Sequence, residues 1–257
     1  MEKSAKPTAW IIGASSGLGA SLAVRLANEG YRVAISARRA ERLDELAEQH
    51  TDLTTFPLDV ADPNAAQKCA ADVLATFGRL DLVVFCAVRS STDQSAHLNM
   101  ANGMAVGLLG ATAALEPVLG HMKARKAGHI ALVGSPVGFR ALPGTRSYGV
   151  VKSALHYYAE LMKIELAAHN IDVQLILPGF VETELTQGNT FPMPVLMSVD
   201  EATTRIWRGL GKPRRFLIAF PKRLIWPMKL LGLLPVWIYQ GLWSKLAHRI
   251  NDEKKRD

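Results

Sequence analysis

The chain has 257 residues, 49% of them hydrophobic, and a formal net charge of +7. That length and apolar content suit one domain with a large core and exclude a disordered chain. Two cysteines, Cys69 and Cys86, cannot build a disulfide framework or a zinc site, which fits a reducing compartment.

The charge is unevenly spread. Residues 205–257 hold 13 Lys/Arg against 3 Asp/Glu, while the first 204 residues hold 17 against 20. The basic character belongs to the C-terminal fifth, which suggests an anionic partner. Residues 1–7 are short and polar. They contain no signal-peptide core, so a cytoplasmic location is the expectation.

Apolar runs alternate with helical patterns through the first 180 residues. Residues 9–12 read as a buried strand, 18–28 as a helix stopped by Gly30, 32–36 as a second strand and 40–49 as a charged amphipathic helix. A third strand follows at 53–56, then a helix opened by Pro63 and running to 77, then a fully apolar strand at 82–85. A long helix is expected over 101–125, a strand over 129–133, a helix over 146–168 and a strand over 173–177. Repeated strand–helix order predicts a doubly wound parallel sheet with helices on both faces, in one domain spanning 1–257. After Pro178 the pattern changes. Residues 181–198, rich in Thr, Pro and Met, read as an irregular flap, and 216–220 as a last strand.

Residues 221–257 form a C-terminal extension interrupted by Pro221, Pro227 and Pro235, and it holds Trp226, Trp237 and Trp243. Its 15-residue uncharged run, 230–244, is too short to span a bilayer. Val236, Tyr239, Leu242, Trp243, Leu246 and Ile250 would share one face of a helix. Lys222, Arg223, Lys229, Lys245 and Arg249 flank the apolar material. Two roles stay open: peripheral contact with anionic lipid, or a lid or dimer contact. Nucleic acid is not an expected partner, because the basic residues are interleaved with aliphatic bulk.

The turn Gly13-Ala14-Ser15-Ser16-Gly17-Leu18-Gly19 joins the first strand to the first helix. Gly13, Gly17 and Gly19 let a pyrophosphate approach the backbone, and Ser15, Ser16 and Leu18 border the helix N-terminus that would receive it. The second strand ends in Ser36-Ala37-Arg38-Arg39, with no acid to bind a ribose 2′-hydroxyl. Arg38 suits a 2′-phosphate, so NADP(H) is the expected cofactor. Tyr148 and Lys152 are spaced to share a helix face, and Ser135 lies thirteen residues before Tyr148. The ammonium should lower the tyrosine pKa, as a proton donor working near neutral pH requires. Cys86 reads as a small apolar filler, and His121, His129, His156 and His169 show no metal spacing.

With these motifs the chain resembles the short-chain dehydrogenase/reductase family over residues 8–220. The resemblance implies a Rossmann-like sheet of seven strands. It implies that Tyr148 exchanges a proton with a carbonyl or alcohol oxygen and that Ser135 hydrogen-bonds that oxygen. Lys152 would tune Tyr148 and hold the nicotinamide ribose. Asp59 and Val60 match the adenine contact, Ala87 the end of the fourth strand, and Pro178, Gly179, Val181 and Thr183 the nicotinamide loop. Two positions depart from the pattern. Phe85-Cys86-Ala87-Val88 replaces Asn-Asn-Ala-Gly, and Gly107 stands where a relay Asn is usual. Asn102, five residues earlier, is a poor helical match to that face. The expected function is NADP(H)-dependent reduction of an apolar carbonyl compound or the reverse oxidation, by a homo-oligomer. The alternative is a non-catalytic or weakly active NADP(H)-binding protein, free or membrane-associated.

Overall fold

The computed structural model describes residues 6–89, 96–187 and 192–253. Residues 188–191 of the expected flap and 254–257 of the expected extension lie outside the described residues. Seven strands are described: β1 Thr8–Ile12, β2 Arg32–Ser36, β3 Leu53–Thr55, β4 Leu82–Phe85, β5 Gly128–Val133, β6 Ile171–Pro178 and β7 Leu217–Phe220. They form one parallel sheet in the order β3-β2-β1-β4-β5-β6-β7. The order in which strands are added reverses between β1 and β4, where such folds place their ligand crevice.

Both faces of the sheet are covered. Helices α1 Gly17–Asn28, α2 Ala40–Glu48, α3 Pro63–Phe77, α4 Ala96–Met104, α5 Gly110–Arg125, α6 Arg146–Glu165 and α7 Val199–Leu210 follow the strands. Alternation along β1 splits the core in two. Trp10 and Ile12 join Val73, Val118, Leu155 and Met162 on the α3–α5–α6 side. Ala9 and Ile11 join Leu22, Leu26, Leu43 and Ile206 on the α1–α2–α7 side. Every residue of β1 is buried, as a doubly covered strand requires.

The long helix begins earlier than its pattern predicts and is not uniform. A π-helical turn, Ala105–Leu109, separates α4 from α5. A Cβ at Gly110 would strike the Val60 carbonyl oxygen, so glycine lets the helix pass this close to the backbone. Residues 98–125 are long and apolar enough to cross a membrane by length and composition. Ala111, Leu115 and Val118 instead pack into the core.

The extension is helical where its prolines suggested interruption: α8 Lys222–Gly232 and α9 Val236–Glu253. Pro221 is the N-cap of α8 and Pro235 directly precedes α9, positions where a missing N–H costs little. The expected shared face is divided. Tyr239 is buried, whereas Val236 and Leu242 are exposed. The side chains of Leu246 and Ile250 lie outside the described residues.

Candidate active site

The glycine turn, Arg38, Ala87, Ser135 and Pro178 lie at or just past the C-terminal ends of strands, whereas Tyr148 and Lys152 lie on α6. The glycine turn follows β1. Gly13 has a φ of 96°, and a Cβ there would sit 2.6 Å from the Ala87 nitrogen after β4. A Cβ at Gly19 would strike the Gly13 carbonyl. The turn is thus folded against itself and against β4, and side chains would hold it open. Ser16 is the N-cap of α1 but makes no side-chain capping hydrogen bond. The first-turn N–H groups of α1 are therefore not capped by that side chain, and they suit an anion.

On the far wall, Gly179 follows β6 and donates its N–H to the Phe220 carbonyl at 2.7 Å. Val181 bridges Met197 and fixes the start of the flap. Thr183 lies against Gly17, with its Cγ2 3.1 Å from where a Cβ would be. Asp59 is exposed beyond β3, and Val60 is buried in the core. Arg38 is exposed. Its neighbour Arg39 is the arginine that reaches the turn. Arg39 donates to Ser15 Oγ at 3.0 Å and to Ser16 Oγ at 2.8 Å, and it pairs with Glu184 of the flap at 3.0 Å. Arg42 approaches the same carboxylate at 3.9 Å, and these cations hold the Glu184 pKa below the usual carboxylate value.

Tyr148 and Lys152 project from the first half of α6 toward Ser135, at the end of β5. Ser135 lies beside Tyr148 and favours its ionised form. Lys152 is buried and donates to the Val133 carbonyl at 2.7 Å, with its ammonium 5.7 Å from the Tyr148 ring centroid. The expected lowering of the tyrosine pKa is not found. Burial raises it, and the neighbouring Ser135 only opposes that rise. Burial acts on the lysine as well and brings it down to about 8. The thiol of Cys86 is pushed up to about 12 by burial, consistent with an unreactive filler.

The Gly107 position is crowded. A Cβ there would overlap Val151 Cγ1, and one at Gly103 would lie 3.3 Å from Val151 Cγ2. Val151 immediately precedes Lys152, so an apolar side chain fills the place considered for a relay residue. The adjoining cleft is lined by Asn99, Gly103, Gly107, Tyr148, Val151 and Lys152, together with Ala87 and Val88. Asn99, rather than Asn102, is the amide among these lining residues, and its spacing of four from Gly103 was the available signal.

His156 is a second residue that sequence reasoning passed over. Its Nε2 accepts the Ser135 N–H at 3.4 Å. Its ring lies under Gly134 and Gly138, where a Cβ would sit 2.7 Å and 2.5 Å away. Burial, then the neighbouring Lys152, lowers its pKa to about 4. The signal was its place one helical turn after Lys152.

Comparison with known proteins agrees with this arrangement. Residues 7–191 match the family model described as short chain dehydrogenase. An uncharacterized oxidoreductase of Myxococcus xanthus is 35% identical over 246 residues, covering 93% of this chain and 97% of that protein. A short-chain dehydrogenase from Sphingobium yanoikuyae, solved in complex with NADPH, superposes with a TM-score of 0.77 at 26% identity. That match covers 93% of this chain and 95% of the other. A short-chain dehydrogenase from Streptomyces avermitilis gives a TM-score of 0.77 at 21% identity over 98% of this chain and 100% of its own. The chain belongs to the short-chain dehydrogenase/reductase family of oxidoreductases.

Proposed function

We propose that this protein is an NADP(H)-dependent oxidoreductase acting between an apolar carbonyl compound and its alcohol. The observation that carries the reading is Tyr148 next to Ser135 and the buried Lys152, at the C-terminal end of the sheet that also holds the glycine turn. The bound nicotinamide supplies or accepts the hydride. Tyr148 gives its hydroxyl proton to the carbonyl oxygen in reduction and takes one from the alcohol in oxidation. Ser135 donates a hydrogen bond to the same oxygen and stabilises the charge that develops there. Lys152 brings a positive charge to the tyrosine and the ribose.

The cradle fits a dinucleotide. Gly13, Ser15, Ser16, Gly17, Leu18 and Gly19 would hold the pyrophosphate on α1. Asp59, Val60 and Ala87 would flank the adenosine half, while Pro178, Gly179, Val181 and Thr183 would flank the nicotinamide. Arg38, with Arg39 at the turn, favours a 2′-phosphate. Structural relatives have been solved with NADP or NADPH bound, which supports this choice.

A homo-oligomer is also part of the reading. Helix α6 exposes Val150, Tyr157, Leu161 and Ile164, which share one helical face. Exposed apolar residues of this kind suit a self-contact.

The deciding experiment is NADPH oxidation with a panel of aldehydes and ketones of increasing chain length, with Tyr148→Phe as control. Turnover that rises with chain length and vanishes in the variant is expected. No turnover of any compound, or full turnover in the variant, would refute the reading.

A further inference from the structure

Helices α8 and α9 each combine buried and exposed positions. Ile225 and Tyr239 are buried. The Tyr239 hydroxyl donates to the Ala141 carbonyl at 2.6 Å. Arg140 donates to the Gly232 carbonyl at 3.1 Å and stacks 4.7 Å from the Tyr239 ring centroid. These contacts fasten both helices to the body and fix which of their residues face outward.

Many of those outward residues are apolar. Trp226, Leu233 and Trp237 are 56%, 76% and 75% exposed, and Leu230, Leu231 and Val236 are exposed beside them. Trp226, Leu230 and Leu233 follow a spacing of four and three along α8 into the turn, and Val236 and Trp237 open α9. So many large apolar side chains together mark an interaction surface.

Charge identifies the occupant. Lys222, Arg223 and Lys229 are exposed on α8, with the Lys229 ammonium 5.8 Å from the Trp226 ring centroid. From residue 216 to 251 the chain contains no Asp or Glu. A second copy docked symmetrically through this face would set cation against cation. A bilayer bearing anionic headgroups matches both features. Tryptophan settles at the headgroup boundary, leucine enters the acyl region and lysine and arginine pair with phosphates. We propose that α8 and the start of α9 dock the protein on anionic bilayer surfaces, with Trp226 and Trp237 as the interfacial anchors.

The test is co-sedimentation of the full chain with vesicles of phosphatidylcholine alone or mixed with phosphatidylglycerol. It requires no turnover, so it stands apart from the catalytic reading. Binding to the mixed vesicles is expected, with weak binding to neutral ones and a decline as salt is added. Trp226→Gln with Trp237→Gln should lower affinity roughly a hundredfold, since two large apolar side chains no longer leave water. Lys222→Gln, Arg223→Gln and Lys229→Gln together should cost roughly a hundredfold on anionic vesicles only. All five positions are exposed, and circular dichroism with NADPH titration checks that each variant is folded. The proposal fails if the folded chain ignores anionic vesicles, or if neither variant changes its binding. It fails equally if the tryptophan variant loses only self-association, because the occupant is then a second copy.

Discussion

His156 lies one helical turn beyond Lys152, and its Nε2 accepts the backbone N–H of Ser135 at 3.4 Å. A residue from α6 thereby fixes the loop that carries the serine. The ring is nearly buried, with Lys152 and the Phe139 ring against it. Its folded pKa of about 4 lies below the ordinary value of 6.5. The unfolded chain accepts a proton that the folded chain refuses. Stability from this group is therefore complete above pH 6.5 and is lost as pH falls toward 4. The loss amounts to at most about 3 kcal/mol. Urea unfolding from pH 8 to pH 4 should show that extra decline in the parent and not in His156→Gln. Parallel pH profiles for the two proteins would exclude it.

Tyr148→Phe should lower kcat by about 10²–10⁴-fold or more while NADPH affinity stays within about twofold. Lys152→Met should lower both. Because burial brings Lys152 down to about 8, its positive charge is present below that pH and lost above it. NADPH affinity should therefore weaken as pH rises through 8 in the parent and remain flat in Lys152→Met. Fluorescence titration measures both.

Replacing Gly107 by the amide usual in the family should not restore a relay. Gly107→Asn forces a side chain onto Val151 and should destabilise the fold by about 1–3 kcal/mol, the range for overpacking. Adding Val151→Ala to it should recover part of that loss. Chemical denaturation of the two variants decides the matter, and parent-like stability of Gly107→Asn alone would refute the packing argument. Asn99→Ala, which empties one wall of the cleft, should reduce kcat with little change in stability.

Charge reversal at the end of β2 tests cofactor choice. Arg38→Asp and Arg39→Asp should each weaken NADPH by roughly 2 kcal/mol or more while leaving NADH nearly unchanged. Equal affinities of the parent for the two cofactors would overturn the assignment.

Much of this was legible in sequence for physical reasons that can be named. Strands buried on both faces must be continuously apolar, so β1 and β4 stood out. The turn between Gly13 and Gly19 needs glycine because backbone meets backbone there. Packing partners were not legible. The missing amide at position 107 was visible, but Val151 filling its place depends on how α6 crosses the π-helical turn. The extension misled because three prolines suggested interruption, yet Pro221 and Pro235 stand just outside the helices. Arg39 and Arg38 are adjacent, and which one reaches the turn depends on the backbone leaving β2.

Arg39 links the glycine turn to Glu184 on the flap. The chain thus brings its own anion to the arginine best placed for a phosphate. Under the proposed function, a phosphate arriving there replaces one negative partner by another, and its net gain is the difference between them. Cofactor entry becomes an exchange in which the flap surrenders its hold on the turn, so Glu184→Gln should tighten NADPH binding and steepen its dependence on salt.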